Sequence, residues 1–73
     1  MKLDIASNRE MFFKAYDYLK AQHPDKFPTT TKKAAAIWFT EFSVIMNIDE
    51  SGKFSEAEFA SESDASVFIL RWS

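Results

Sequence analysis

Hard oxygen donors recur through one short stretch of this sequence: Asn47, Asp49, Ser51, the backbone carbonyl of Lys53, and Glu58. A Ca²⁺ ion takes about 6–8 such oxygens, and Gly52 stands where a ligand loop needs its sharp bend. Little else in the chain offers chemistry. It has 73 residues, no cysteine and one histidine, His23. A thiolate nucleophile, a disulfide framework and a Cys/His metal site are therefore excluded. His23 precedes Pro24 and reads as a helix-end residue, with nothing nearby in the sequence to complete a catalytic triad. The sequence predicts no enzyme, and no catalytic residue is assigned.

Read with Asn47 as the first position, the residues Asn47, Asp49, Ser51, Gly52, Phe54 and Glu58 occupy positions 1, 3, 5, 6, 8 and 12 of a calcium loop. Over those residues the chain resembles the EF-hand family, which implies a single calcium-binding module as an alternative function. The first position is Asn rather than Asp. The following segment, Phe59 to Asp64, has no sustained apolar face for an exiting helix. A β-hairpin turn accounts for the same residues, so neither metal nor cofactor is expected.

The same stretch is strongly acidic. Residues 47–64 carry six carboxylates (Asp49, Glu50, Glu56, Glu58, Glu62 and Asp64) against Lys53 alone, while the whole chain has a net charge of −2. No basic footprint for direct nucleic-acid binding is present. Glu50, Glu56, Glu58, Glu62 and Asp64 are the candidate partner-binding residues. Such a surface suits a basic protein, and a nucleic-acid-binding protein is one natural class. No apolar run approaches the roughly 20 residues that span a bilayer, and the start MKLDIASNRE lacks the apolar centre of a secretory signal. A cytoplasmic location is the simplest expectation.

The elements that position these acids are legible as patterns. Asp49-Glu50-Ser51-Gly52 is a turn signal, and Gly52 is the only glycine. With those four residues as the loop, Ile48 pairs with Lys53, and Phe42, Val44 and Met46 face Phe59, Ala57 and Ser55. Strands of about 41–49 and 53–60 follow, with Glu56 and Glu58 pointing away from the apolar side. Upstream, Ser7-Asn8-Arg9-Glu10 forms a capping-box pattern before the stripe Phe12, Ala15, Tyr16 and Leu19, predicting a helix from about Asn8 to Gln22. Thr29, Thr30 and Thr31 offer caps for a second helix, which is broken near Thr40 because Val44, Ile45 and Ile48 precede the turn; one long helix to Met46 is the alternative. Ser61 caps a third helix, with Ala65, Phe68, Ile69 and Trp72 on one face, against an alternative strand at 67–72. Lys2 to Ile5 alternates as a short edge strand. The fold class is thus α+β in a single domain: two N-terminal helices, a β-hairpin and a C-terminal helix. The chain holds twelve aromatic residues, being eight Phe, two Tyr and two Trp. In so short a chain, they must be largely buried within the domain or against a partner.

The ending also carries a resemblance. Phe59, Ser61, Glu62, Asp64, Ala65, Phe68, Leu70, Arg71 and Trp72 make up an aromatic, a Ser/Glu cap, Asp-Ala and then Phe-x-Leu-Arg-Trp. This is similar to the ends of small tailed-phage-encoded accessory proteins. The resemblance implies an accessory or inhibitor protein that binds a host or partner protein, located in the host cytoplasm. The function expected is therefore a small protein-interaction module with an acidic and aromatic surface. Besides the calcium module, the remaining alternative is a structural protein that self-associates into a homo-oligomer through its hairpin edges.

Overall fold

In the computed structural model, which describes all residues from Met1 to Ser73, the chain is α+β. Strand β1 (Lys2–Asp4) leads through a short 3-10 turn (Ala6–Asn8) into helix α1 (Arg9–Gln22). Helix α2 (Thr31–Phe42), strands β2 (Val44–Ile48) and β3 (Phe54–Phe59), and helix α3 (Glu62–Trp72) follow. The sheet is antiparallel with order β1-β3-β2, so β3 is its centre. No helix is long and apolar enough to cross a membrane.

The helix ends show which caps the sequence supplies. Thr30 accepts from the Lys33 N–H at 3.3 Å, and Ser61 accepts from the Asp64 N–H at 3.2 Å, both from extended backbone. At α1 the expected capping box does not form. Ser7 instead donates its N–H and its hydroxyl to Asp4 Oδ2, at 2.9 and 2.7 Å, and Asn8 Nδ2 donates to the Asp4 carbonyl at 2.7 Å. Asp4 outcompetes Glu10 because a carboxylate three residues upstream can hold both donors of Ser7 across one tight turn. The helix accordingly starts one residue later than predicted, at Arg9.

Helix α2 continues past Thr40 to Phe42, and Ser43 stops it in the left-handed conformation at φ 54°, its N–H bonded to the Phe39 carbonyl. Phe42 therefore belongs to a helix and faces the aromatic core rather than a strand partner. The long helix to Met46 does not form, and 67–72 is helical rather than extended.

The hairpin register differs from the sequence expectation by two residues. Val44 pairs with Phe59, Met46 with Ala57, and Ile48 with Phe54, with a bulge between Asn47 and Ile48. Asp49 bonds back to Lys53 through its N–H at 2.8 Å, and the Gly52 N–H bonds to the Asp49 carbonyl at 3.0 Å. The turn is therefore the three residues Glu50 to Gly52, with Gly52 at φ 85°. Between Val44 and Asn47 the slip is two residues, which preserves side-chain parity, so Val44, Met46, Ala57 and Phe59 keep the predicted apolar face. At the bulge the parity changes: Phe54, expected outside with Glu56 and Glu58, turns to the core side, with its ring centroid 6.4 Å from that of Trp38.

All three helices contribute to one core on one side of the sheet. Met11, Phe12, Ala15 and Leu19 of α1, Trp38 of α2, and Ala65 and Phe68 of α3 cluster with Val44, Met46, Ala57 and Phe59. Phe68 sits among four rings, with centroids 5.3 Å from Phe12, 6.4 Å from Trp38, 5.4 Å from Phe42 and 5.3 Å from Phe59. Of the aromatic residues only Phe13 and Phe39 remain more than half exposed, at 59% and 57%.

Candidate functional site

Strand pairing builds the outer face of the sheet in two rows. Lys2, Glu58 and Ile45 form one row, and Asp4, Glu56 and Asn47 form the other. Side chains alternate along a strand, so these six lie opposite Leu3, Ala57, Met46, Val44 and Phe59, which turn toward the core. Glu56 and Glu58 thus point outward, as the hairpin parity predicts. They do not stand alone there. Lys2 Nζ lies 3.7 Å from Glu56 Oε1 and 4.0 Å from Glu58 Oε1, and Asn47 Nδ2 donates to Glu56 Oε1 at 3.2 Å. The carboxylates remain accessible, with side-chain exposures of 38% and 42%. An ion pair this open to water contributes little to stability.

Asp4 joins this face and was missing from the sequence reading. The signal lay in the alternation of Lys2 and Asp4 with Leu3 and Ile5, but the choice of partner strand was not in the sequence. The two Ser7 donors, the hydroxyl above all, hold the Asp4 carboxyl below the usual carboxylate range. It is therefore a fixed negative charge at neutral pH.

The other predicted partner-binding residues lie elsewhere. Glu50 is at the hairpin tip, whereas Glu62 and Asp64 occupy the first turn of α3, where the helix dipole favours negative charge. Tip and helix start are separated by the length of β3, whose five steps of about 3.3 Å span roughly 17 Å. The acidic stretch of sequence is thus divided between three locations, and only Glu56 and Glu58 share the outer face.

The calcium-loop residues are arranged as a hairpin. Asp49 Oδ1 accepts from the Ser51 N–H at 2.9 Å, the Ser51 hydroxyl at 2.6 Å and the Lys53 N–H at 3.0 Å. These bonds, led by that of the Ser51 hydroxyl, hold its carboxyl below the usual range. Asn47 and Glu58 belong to paired strands, and the flanking elements are strands where an EF-hand has helices. No group of three or more His, Cys, Asp or Glu residues is placed to hold a metal ion. His23 caps α1 and its Nε2 lies 2.8 Å from Glu41 Oε1, tying the end of α1 to the last turn of α2.

No protein family, curated protein or solved structure matches the chain.

Proposed function

We propose that this chain is a small protein-interaction module that binds a basic partner surface through the outer face of its sheet. The observation that supports this reading is the one-sided packing of the helices. It leaves three carboxylates, Asp4, Glu56 and Glu58, on paired strands, with Ile45, which is 50% exposed, opposite Glu58. With Lys2 as the only cation among them, the face carries 1 − 3 = −2, equal to the net charge of the whole chain. Strands hold these charges at fixed spacing, so little side-chain order is lost when Lys or Arg groups dock on them. The apolar side chain of Ile45 supplies area that charge alone does not. A phage-type accessory or inhibitor protein acting on a nucleic-acid-binding host protein fits this reading, on the strength of the C-terminal Phe-x-Leu-Arg-Trp pattern.

The experiment is affinity capture of the partner, followed by titration at low and moderate salt with the wild type and with Glu56→Gln/Glu58→Gln. Binding through this face weakens in the double variant and loses its salt dependence in proportion. Unchanged affinity with an intact fold overturns the assignment and moves the interface to another surface.

A further inference from the structure

A groove of about 340 Å³ opens on the other side of the molecule, between α1, the start of α2 and the hairpin tip. Its volume lies in the range of about 300–1,000 Å³ typical of small-molecule sites. Phe12, Trp38, Met46 and Phe54 supply its apolar surface, and Phe13 stands exposed beside them. Ala34 on α2 and Gly52 at the hairpin tip are both too small to fill it.

The polar part of the lining is selective. In a chain with eleven carboxylates, none lines this groove, and its only charged side chain is Lys53. Thr31, the first residue of α2, is also at the lining, so the positive end of that helix adds to the Lys53 charge. The Trp38 indole N–H is buried without an acceptor, as is that of Trp72 away from the groove, so the former serves as a reporter for a ligand placed against the Trp38 ring.

We infer that this groove binds a small amphipathic anion, an aliphatic or aromatic carboxylate, with its apolar body against Phe12, Trp38, Met46 and Phe54 and its carboxylate at Lys53. A cationic amphiphile meets Lys53 and the α2 start with like charge. A neutral one gains the apolar contact but no head-group bond. The site is independent of the outer sheet face and stands whether or not that face binds a protein.

The test is a ¹H–¹⁵N titration with decanoate, decan-1-ol and decyltrimethylammonium, each kept below its aggregation limit. Decanoate shifts the Trp38 indole N–H and the amides of Phe13, Thr31 and Phe54 saturably. Its dissociation constant rises about tenfold in Lys53→Gln, the loss of one charge-assisted hydrogen bond. Decanol binds wild type and variant equally, at the weaker level. The inference is overturned by absence of saturable shifts, by shifts confined to the exposed Val67 and Leu70 of α3, or by equal affinity of wild type for decanoate and decanol. The last comparison uses unaltered protein and so holds even if Lys53→Gln is poorly folded.

Discussion

Lys2 Nζ lies 3.7 Å from Glu56 Oε1, linking residues that are 54 positions apart in the chain. The contact exists because β1 pairs with the second strand of the hairpin rather than the first. It makes the charge of the outer face adjustable at one exposed residue. Lys2→Ala takes the face from −2 to −3 and is expected to speed association with a basic partner at low salt, with the gain vanishing as salt rises. The cost in stability is at most about 1 kcal/mol, since exposed pairs contribute little. Stopped-flow association rates across a salt series, beside a urea denaturation curve, check both halves.

Gly52→Ala isolates the turn. A Cβ at Gly52 meets nothing within 4 Å, so the only penalty is its left-handed backbone at φ 85°. The expected loss is about 1 kcal/mol, or roughly 4–8 °C in Tm for a domain of this size. An unchanged Tm contradicts the turn geometry.

Asp4 and Asp49 should make the fold sensitive to acid. The carboxyls of Asp4 and Asp49 are both held below the usual carboxylate range in the folded protein, Asp4 by its bonds from Ser7 and Asp49 by those from Ser51 and Lys53. A depressed folded pKa contributes stability that is fully present above the unfolded value and is lost as pH falls through the folded one. Stability is therefore expected to decline below about pH 4, with Asp49→Asn flattening that decline. Carboxyl-carbon NMR should find both pKa values low, and Ser7→Ala should bring Asp4 back up without moving Asp49.

Phe68→Ala removes the ring shared by α1, α2, α3 and β3, and Phe68 is only 4% exposed. The expected cost is about 3–5 kcal/mol. At about 0.05–0.15 kcal/mol per residue the whole domain has about 4–11 kcal/mol to lose, so the variant should be partly or wholly unfolded at 37 °C. Phe68→Leu should retain the fold with a lower midpoint. Circular dichroism melts of the two variants decide this. A Phe68→Ala melt near wild type would mean that the core does not depend on this ring.

Local chemistry decided the elements. Ser61 and Thr30 cap helices because an Oγ reaches a free N–H three residues on, and that geometry needs no distant partner. The faces of β2 and of β3 from Glu56 to Phe59 were equally determined, because alternation fixes which side is apolar; Phe54 was not, because the bulge that turns it to Trp38 is a feature of the pairing. Capping at α1 was less secure. Ser7 had two competing uses, and the choice of Asp4 depends on a strand turning into a helix at that point.

Assembly decided the rest. Val44 opposite Ala57 and Val44 opposite Phe59 place the same residues of these strands on the same faces. Core packing of Val44 on Phe59 and the left-handed stop at Ser43 selected the latter. Phe42 satisfied both a helical and a strand pattern, and its place beside Trp38, Phe68 and Trp72 settled it as helical. The candidate site followed the same division. Sequence parity alone turned Glu56 and Glu58 outward. Glu50 and Glu62 lie at opposite ends of β3 because they precede and follow it in the chain, but bringing Asp4 and Lys2 to Glu56 and Glu58 required the strand order β1-β3-β2. That order is set by which strand lies at the centre of the sheet, a contact between distant parts of the chain that no local pattern encodes.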